Sequence, residues 1–253
     1  MGEARSPTSD RDLNMDSAED GHLTIMVASP KGGCGKTTVA ALLAQELARA
    51  GEVLLIDGDR QGSSLLWFTV ARAHGSQLTN VTVEKIEGNE RIADRVKNAS
   101  GFIATIVEVA GYAEATRALD AVACDLVVIP TQPHILDCYQ VIQIVKYLRD
   151  MGQGGSHVRH KVVLNRMTAM TRNSVAAKAA LNILRDADVE WCRNALWERS
   201  VFAKVMTGAA LYELSPDRDG SVVRAQNNLR AVVDELLSDF LSETGDQAEA
   251  PSE

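Results

Sequence analysis

Residues Ser29 to Thr38 read SPKGGCGKTT, a glycine-rich stretch with two lysines and two threonines. An apolar run, LTIMVA, precedes it over residues 23–28, and an alanine- and leucine-rich stretch, VAALLAQELARA, follows it over residues 39–50. A strand, a glycine-rich loop and a helix in this order are the context in which a phosphate-binding loop works, because backbone N–H groups and the positive end of the helix face one concavity. The stretch therefore predicts a phosphate site at the start of an α/β domain.

The residue types within the loop support this prediction. Lys36 can reach the β- and γ-phosphates of a nucleotide, and the hydroxyl of Thr37 can ligate Mg²⁺. Glycine lets the backbone curl where a side chain would collide with a phosphate. We expect ATP and Mg²⁺ as cofactors. The predicted nucleotide-binding residues of the loop are Lys31, Gly32, Gly33, Cys34, Gly35, Lys36, Thr37 and Thr38.

The loop departs from the ordinary pattern G-x-x-x-x-G-K-[ST], since Pro30 stands at the first glycine position and Lys31 is an additional lysine. It resembles the deviant Walker A signature, K-G-G-x-G-K-[ST]-[ST], of the ParA/MinD family of ATPases. In that family the additional lysine reaches across a nucleotide-sandwiched dimer to the γ-phosphate bound by the other protomer. The resemblance therefore implies a homodimer that forms on ATP binding, and it gives Lys31 a catalytic role beside Lys36.

An acidic motif, DGDRQGS, follows the apolar run at residues 53–56 and begins at Asp57. Two carboxylates at the carboxyl end of a strand lie where open α/β sheets place their chemistry. The motif resembles the family segment D-x-D-P-Q-G-S, with Arg60 at the usual proline. The resemblance implies that Asp57 holds Mg²⁺ through water and that Asp59 orients the water that attacks the γ-phosphate, a positioning role in a mainly electrostatic reaction. The alternative is an acidic strand-to-helix turn in which Asp59 or Ser63 caps the next helix.

The run FIATIVEV at residues 102–109 predicts another core strand and carries the main departure from the family. The family has hhhhD-T-x-G here, with an aspartate near Mg²⁺ and a glycine whose N–H senses the γ-phosphate. Gly111 matches that glycine, but Glu108 stands where the aspartate is expected. A longer carboxylate can still reach the water shell of the metal with altered geometry, and Mg²⁺ tolerates little change. We expect slow ATP hydrolysis; a nucleotide-gated scaffold that hardly turns over is the alternative.

Two segments later in the chain also fit the alternation of strands and helices. The run DLVVIPTQPHILD at residues 125–137 resembles the family segment DLVIIPVQPSPLD, and KVVL at residues 161–164 predicts a further strand. The resemblance implies that Asn165, which follows this strand, reads the adenine edge; a turn residue is the alternative. Because strands alternate with helical patterns of 10–18 residues, the sequence predicts the α/β class, with a doubly wound, mostly parallel sheet flanked by helices.

Length and composition suit one α/β domain, since the chain has 253 residues of which 45% are hydrophobic. No apolar run approaches the ~20 residues of a membrane span. Four scattered cysteines without a C-x-x-C pair favour reduced thiols over disulfides or a metal site. We expect a cytoplasmic, nucleoid-associated protein. We also expect a disordered acidic extension at residues 1–21, an ATPase domain at 22–242 that ends in a helix over 218–241, and a disordered acidic tail at 243–253.

The net charge of −8 is unevenly distributed. Residues 1–20 carry six acids and two bases, residues 231–253 carry seven acids and no base, and residues 151–230 carry twelve Lys/Arg against seven Asp/Glu. A globally acidic chain can therefore present a basic face. Partition ATPases of the family bind duplex DNA without sequence preference in the ATP state. Candidate phosphate contacts are Arg166, Arg172, Lys178, Arg193, Arg199, Lys204, Arg218, Arg224 and Arg230, the alternative being a solvated surface of scattered charges.

The resemblance implies an ATPase that segregates plasmid or similar DNA cargo with a cargo-bound ParB-like or adaptor protein. Conjugation-associated members and members that position protein cargo are alternatives, because the difference lies in the partner. A membrane-cycling switch would need a C-terminal amphipathic helix with a basic polar face. The chain instead ends in VVDELLSDFL and an acidic tail, which anionic lipid would repel, so we expect no membrane partner.

Overall fold

The computed structural model describes residues 22–153 and 158–247, so the predicted extension at 1–21 and the tail from residue 248 lie outside the described residues. The strands are β1 (Leu23–Val27), β2 (Val53–Asp57), β3 (Val81–Lys85), β4 (Ala104–Glu108), β5 (Leu126–Thr131) and β6 (Arg159–Leu164). The helices are α1 (Lys36–Leu47), α2 (Ser63–Ala73), α3 (Asn89–Lys97), α4 (Tyr112–Ala121), α5 (Ile135–Gln153), α6 (Ala169–Asn173), α7 (Val175–Asp186), α8 (Ser200–Met206) and α9 (Ser221–Gln247).

The strands form one sheet in the order β3-β2-β4-β1-β5-β6, and every neighbouring pair is parallel. This confirms the predicted α/β class. Strands β1, β2, β4 and β5 are buried along their whole length, as parallel strands covered on both faces must be. Since all strands point the same way, the loops after β1, β2, β4, β5 and β6 meet at the carboxyl edge of the sheet.

Alternate residues of each strand contribute to two hydrophobic cores, one on each face of the sheet. Ile25 of β1 and Leu55 of β2 pack with helices α1, α2, α8 and α9, whereas Met26 and Leu54 pack with α3, α4, α5 and α7. Helix α1 is buried on almost all sides because it lies between the sheet and α9. The helix that follows the phosphate loop is therefore enclosed by its neighbours, and it fixes that loop to the core.

Three local details differ from the sequence-based expectation. The sequence VEWC at residues 189–192 suggests a last short strand, but these residues form only an isolated bridge between Trp191 and Val162. Helix α6 was not predicted, because five residues carry no hydrophobic period; the side chain of Thr168 caps it by accepting a bond from the N–H of Thr171. Helix α9 runs on to Gln247, past the predicted end at residue 241. Across the described ranges, no helix is both long and apolar enough to span a bilayer.

Candidate functional site

The loop between β1 and α1 has the backbone of a phosphate cradle. Gly35 adopts a left-handed conformation, φ 98°, and α1 begins at the next residue with no side chain capping its first turn. The free N–H groups of that turn are therefore available to an anion. A Cβ atom on Gly35 would lie 2.0 Å from Nδ2 of Asn165, so both the conformation and the close approach require glycine here.

The two lysines of the loop have different surroundings. Lys36 is buried, and its ammonium donates to the carbonyl of Lys31 at 3.2 Å. The thiol of Cys34 lies 3.3 Å from the same carbonyl. The side chain of Lys31 itself is 49% exposed, and its ammonium lies 2.6 Å from Oδ1 of Asp137 on α5. Lys36 therefore lies inside the loop, and Lys31 lies at its surface in an ion pair with its own chain.

Glu108 connects the phosphate loop to α2. Its carboxylate is buried and accepts bonds from the hydroxyl of Thr37 at 2.6 Å and from that of Ser64 at 2.5 Å. Burial raises the pKa of Glu108, and the negative charge of Asp57 adds to this, while the two hydroxyl bonds act in the opposite direction. The Glu108 side chain, which is longer than the expected aspartate, is thus accommodated between the hydroxyl groups of Thr37 on α1 and Ser64 on α2.

Asp57 and Asp59 lie beside Glu108 at the end of β2. Asp57 is paired in register with Glu108, and its carboxylate accepts bonds from the N–H of Leu65 at 2.9 Å and of Asp59 at 3.2 Å. Burial raises the pKa of Asp57. Asp59 accepts a bond from the N–H of Gln61 at 2.9 Å. Asp57 therefore accepts a bond from the first turn of α2. The capping alternative named Asp59 or Ser63, but the N-cap position of α2 is Gly62 and no side chain caps it.

The oxygen donors at this edge fit a magnesium ion. Thr37, Asp57 and Glu108 offer one hydroxyl and two carboxylates, which are the hard ligands that Mg²⁺ prefers. No group of three or more His, Cys, Asp or Glu side chains with metal-site spacing occurs among residues 22–153 and 158–247. In nucleotide sites, Mg²⁺ takes most of its other ligands from phosphates and water.

Asn165 supports the phosphate loop from the end of β6. Its amide is buried, and Nδ2 donates to the carbonyl of Cys34 at 2.9 Å while Oδ1 accepts from the N–H of Arg166 at 2.8 Å. The structure therefore gives Asn165 a contact with the loop, and its predicted reading of adenine stays a prediction. Gly111 lies between β4 and α4 at the same edge of the sheet, with open space around its Cα.

The predicted DNA-contacting residues do not form one continuous row. Arg172 and Lys178 are exposed on α6 and α7, and the guanidinium of Arg172 lies 5.9 Å from the ring centroid of Trp197. Arg199 and Arg224 form a second group, since the pKa of Arg199 is lowered by burial and then by the charge of Arg224. Both groups remain available to solvent.

Two further candidates, Lys204 and Arg230, differ in their surroundings. Lys204 is exposed on α8. Nε of Arg230 lies 3.7 Å from Oε1 of Glu46, which is buried in α1. Arg49 and Tyr212 also donate to the Glu46 carboxylate, and burial raises the pKa of Glu46. Arg230 therefore serves to neutralise a buried acid, which leaves it a weaker candidate for DNA than the exposed basic residues.

Two site residues, Asp137 and Ser64, were not singled out from the sequence. Asp137 closes the run DLVVIPTQPHILD, and Ser64 directly follows DGDRQGS, so the signal for both was the position of a polar residue at the end of a motif. Their partners became known only from the fold.

Residues 25–189 match the family model described as the CobQ/CobB/MinD/ParA nucleotide binding domain. This chain belongs to that family. The match confirms the family resemblance drawn from the glycine-rich loop and makes the chain a member of a group of nucleotide-binding, ParA/MinD-type ATPases.

Three similar proteins show the range of this CobQ/CobB/MinD/ParA family. The chain is 34% identical over 146 residues to a protein called maintenance of carboxysome distribution protein A from Gloeobacter kilaueensis; the match covers 56% of this chain and 62% of that relative, which is less than two thirds of its length. It is 25% identical over 211 residues to protein ParA of Rhizobium radiobacter, covering 82% and 92%. The solved ATP complex of a Cyanothece McdA variant has a TM-score of 0.65 at 16% identity, covering 87% and 97%, and confirms the fold.

Proposed function

We propose that the chain is a switch ATPase that joins two protomers when it binds ATP and Mg²⁺ and releases them after slow hydrolysis. The observation that carries this proposal is the convergence of Lys36, Thr37 and Glu108 at one edge of the sheet, with the additional lysine, Lys31, at the surface beside them. Phosphoryl transfer needs positioned positive charge and an oriented water more than covalent chemistry. The two lysines supply the positive charge.

Each residue has a distinct part in this proposal. The first-turn N–H groups of α1 and Lys36 bind the phosphates. Thr37, Asp57 and Glu108 would hold Mg²⁺, which when bound would neutralise charge on the phosphate oxygens. Asp59 orients the attacking water. Lys31 contributes to the second active site of the dimer, because its ammonium lies at the surface and not inside the loop.

The ATP-bound dimer would bind duplex DNA without sequence preference and, with a cargo-bound partner protein, segregate or position that cargo on the nucleoid in the cytoplasm. The exposed bases of α6–α7 and the pair Arg199 and Arg224 supply phosphate contacts despite the net charge of −8. The relative named ParA supports DNA as the cargo.

Protein cargo is the second candidate. A relative and a structurally similar protein are both named for carboxysome distribution or McdA, so in this candidate the same switch distributes a protein assembly. Both candidates share the nucleotide cycle and differ in the partner. The nucleotide switch is therefore common to both candidates, and binding measurements must decide between DNA and protein cargo.

The deciding experiment measures binding of the chain to a random-sequence duplex with ATP and with ADP, at low and moderate salt. We expect tight, salt-sensitive binding with ATP alone, and trapping of that complex in Asp59→Ala. Lys36→Ala should lose ATP binding, whereas Lys97→Ala, at an exposed position on α3, should keep it. Tight ATP binding by Lys36→Ala would overturn the site, and negligible duplex binding in both nucleotide states would remove DNA in favour of protein cargo.

A further inference from the structure

The carboxylate of Glu108 is held by two hydroxyl groups that come from different helices. Oε1 accepts a bond from the hydroxyl of Thr37 at 2.6 Å, and Oε2 accepts one from the hydroxyl of Ser64 at 2.5 Å. Ser64 and Glu108 are both fully buried. Thr37 already has a part in the proposed function, as a residue that would hold Mg²⁺. Ser64 has none, although its hydroxyl lies as close to the carboxylate as that of Thr37.

The length of the Glu108 side chain makes the contact with Ser64 possible. Glu108 pairs in register with Val27 of β1 and with Asp57 of β2, so its Cα is fixed between two strands of the sheet. An aspartate at the same Cα would be shorter by one C–C bond, about 1.5 Å. Its carboxylate could not bond to both hydroxyls from that position, because the distances would exceed those of a hydrogen bond. The additional methylene group of Glu108 and the hydroxyl of Ser64 therefore form a matched pair.

The first turn of α2 also supports the second acid at this edge of the sheet. The N–H of Leu65 donates to Asp57 at 2.9 Å, directly after the Ser64 hydroxyl that donates to Glu108. Asp57 and Glu108 are close enough for the charge of one to disfavour the charge of the other. The terminal torsion of a glutamate is broad, so without a donor the carboxylate can turn. The two donors of this turn therefore fix the orientation of both acids.

We propose that Ser64 is a positioning residue for Mg²⁺, because its hydroxyl fixes the orientation of the Glu108 carboxylate that would hold the metal. Ser64 acts through Glu108 and is not itself a ligand. The pair makes the glutamate a working replacement for the aspartate expected at this position. This role rests on the proposed function, since it requires Mg²⁺–ATP as the bound group. Residues that orient a metal ligand contribute about 10- to 100-fold to metal affinity.

The role of Ser64 is tested by the affinity of the chain for ATP, measured by titration calorimetry over a series of Mg²⁺ concentrations and in EDTA. In Ser64→Ala, the Mg²⁺ concentration that gives half-maximal tightening of ATP binding should rise by about 10- to 100-fold. ATP affinity in EDTA should stay close to that of the wild type, whereas a general distortion of the phosphate loop would lower it as well. The control Thr69→Ala removes an exposed hydroxyl from the same helix and should keep the wild-type response to Mg²⁺.

Glu108→Asp tests whether the two residues act as a pair. The shorter side chain cannot use the Ser64 hydroxyl, so Ser64→Ala should change the response to Mg²⁺ little when it is added to Glu108→Asp. An equal loss in both backgrounds would show that Ser64 acts independently of Glu108 and would overturn the pairing. Ser64→Cys places a weak donor at the same position and should behave like Ser64→Ala, so it provides the measurement if the alanine variant does not fold.

The response of the wild type to Mg²⁺ separates this inference from the proposed function. If Mg²⁺ tightens ATP binding in the wild type and equally in Ser64→Ala and Ser64→Cys, the role of Ser64 is overturned and the proposed function stands. If the wild type does not bind ATP, or binds it without any response to Mg²⁺, the proposed function and the role of Ser64 are overturned together.

Discussion

The ammonium of Lys31 lies 2.6 Å from Oδ1 of Asp137, so the additional lysine of the phosphate loop is held by a carboxylate of its own chain. The side chain of Asp137 is only 5% exposed, whereas that of Lys31 is 49% exposed. In the proposed dimer, Lys31 must leave this carboxylate before it reaches a phosphate bound by the other protomer. The ion pair therefore favours the separate protomer, by about 0.2–1 kcal/mol for a pair that is partly exposed.

Asp137→Asn should strengthen ATP-dependent dimerisation, because it removes the charge that holds Lys31 back. We expect the dimer dissociation constant to fall by about 2- to 30-fold, because two such ion pairs of about 0.2–1 kcal/mol each are broken when the dimer forms. Sedimentation equilibrium with ATP, in an Asp59→Ala background that prevents hydrolysis, measures this constant. Asp94→Asn, which removes an exposed acid on α3, is the matched control. An unchanged or weaker dimer in Asp137→Asn would show that the pair does not restrain Lys31.

Asn165→Ala should weaken nucleotide binding because the carbonyl of Cys34 loses its buried donor. An unpaired buried group costs about 1–3 kcal/mol, so we expect ATP affinity to fall by about 5- to 100-fold. Titration calorimetry with ATP and with GTP separates two roles. Equal losses indicate support of the loop alone, and a selective loss for ATP indicates reading of adenine. Asn182→Ala, at an exposed position on α7, should bind both nucleotides as the wild type does, and an equal loss there would point to a general effect on folding.

The sequence predicted the features of this fold that depend on local pattern. Apolar runs located the core strands, and the glycines and lysines of residues 29–38 located the phosphate loop. Parallel strands then required the motif loops to meet at one edge. What the sequence did not show were contacts between distant residues. Lys31 and Asp137 are 106 positions apart, and Asn165 and Cys34 are 131 apart, so their pairing depends on strand order and on side-chain direction.

The surroundings of the basic residues likewise could not be predicted from the local sequence. Arg230 lies on the same helix as the exposed Arg224, and it turns towards Glu46 because that carboxylate is buried within α1. Nothing in the local sequence of α9 indicates a buried acid on another helix. Charge counts can therefore predict that a basic surface exists, and packing decides which of the bases belong to it.

Glu108→Gln should reduce the pH dependence of stability in the absence of nucleotide. Burial raises the folded-state pKa of Glu108 above its ordinary value, so its favourable contribution is present at low pH and is lost as pH rises through the raised pKa. For one group this slope reaches at most about 1.4 kcal/mol per pH unit. The substituted amide keeps the shape of the side chain and can still bond to Thr37 and Ser64 without titrating.

Urea denaturation between about pH 4.5 and about pH 8, conditions that span the ordinary carboxyl range and the region above it, measures this difference. The wild type should lose more free energy of unfolding than Glu108→Gln as pH rises. Glu114→Gln, at an exposed position on α4, should follow the wild type. Parallel curves for wild type and Glu108→Gln would show that the carboxylate is not held in a site that disfavours its charge.

Leu229→Ala should destabilise the protein through the contact between α9 and α1. Leu229 is buried in the core that also contains α1, and a Leu→Ala change at such a site costs about 2–5 kcal/mol. For a domain of this size we expect the melting temperature to fall by about 5–15 °C. Val223→Ala, on the same helix but 43% exposed, should change stability by less than about 0.5 kcal/mol.

Because α1 carries Lys36 and Thr37, the same variant also tests whether the phosphate loop depends on α9. Mg²⁺–ATP that binds only the folded state should raise the melting temperature of wild type and of Leu229→Ala by similar amounts if α1 keeps its place below the transition. Thermal denaturation with and without the nucleotide measures both shifts. If Mg²⁺–ATP raises the melting temperature of Leu229→Ala as much as that of the wild type, the substitution lowers global stability only. If the nucleotide does not raise it, α9 holds the phosphate loop in its binding conformation through α1.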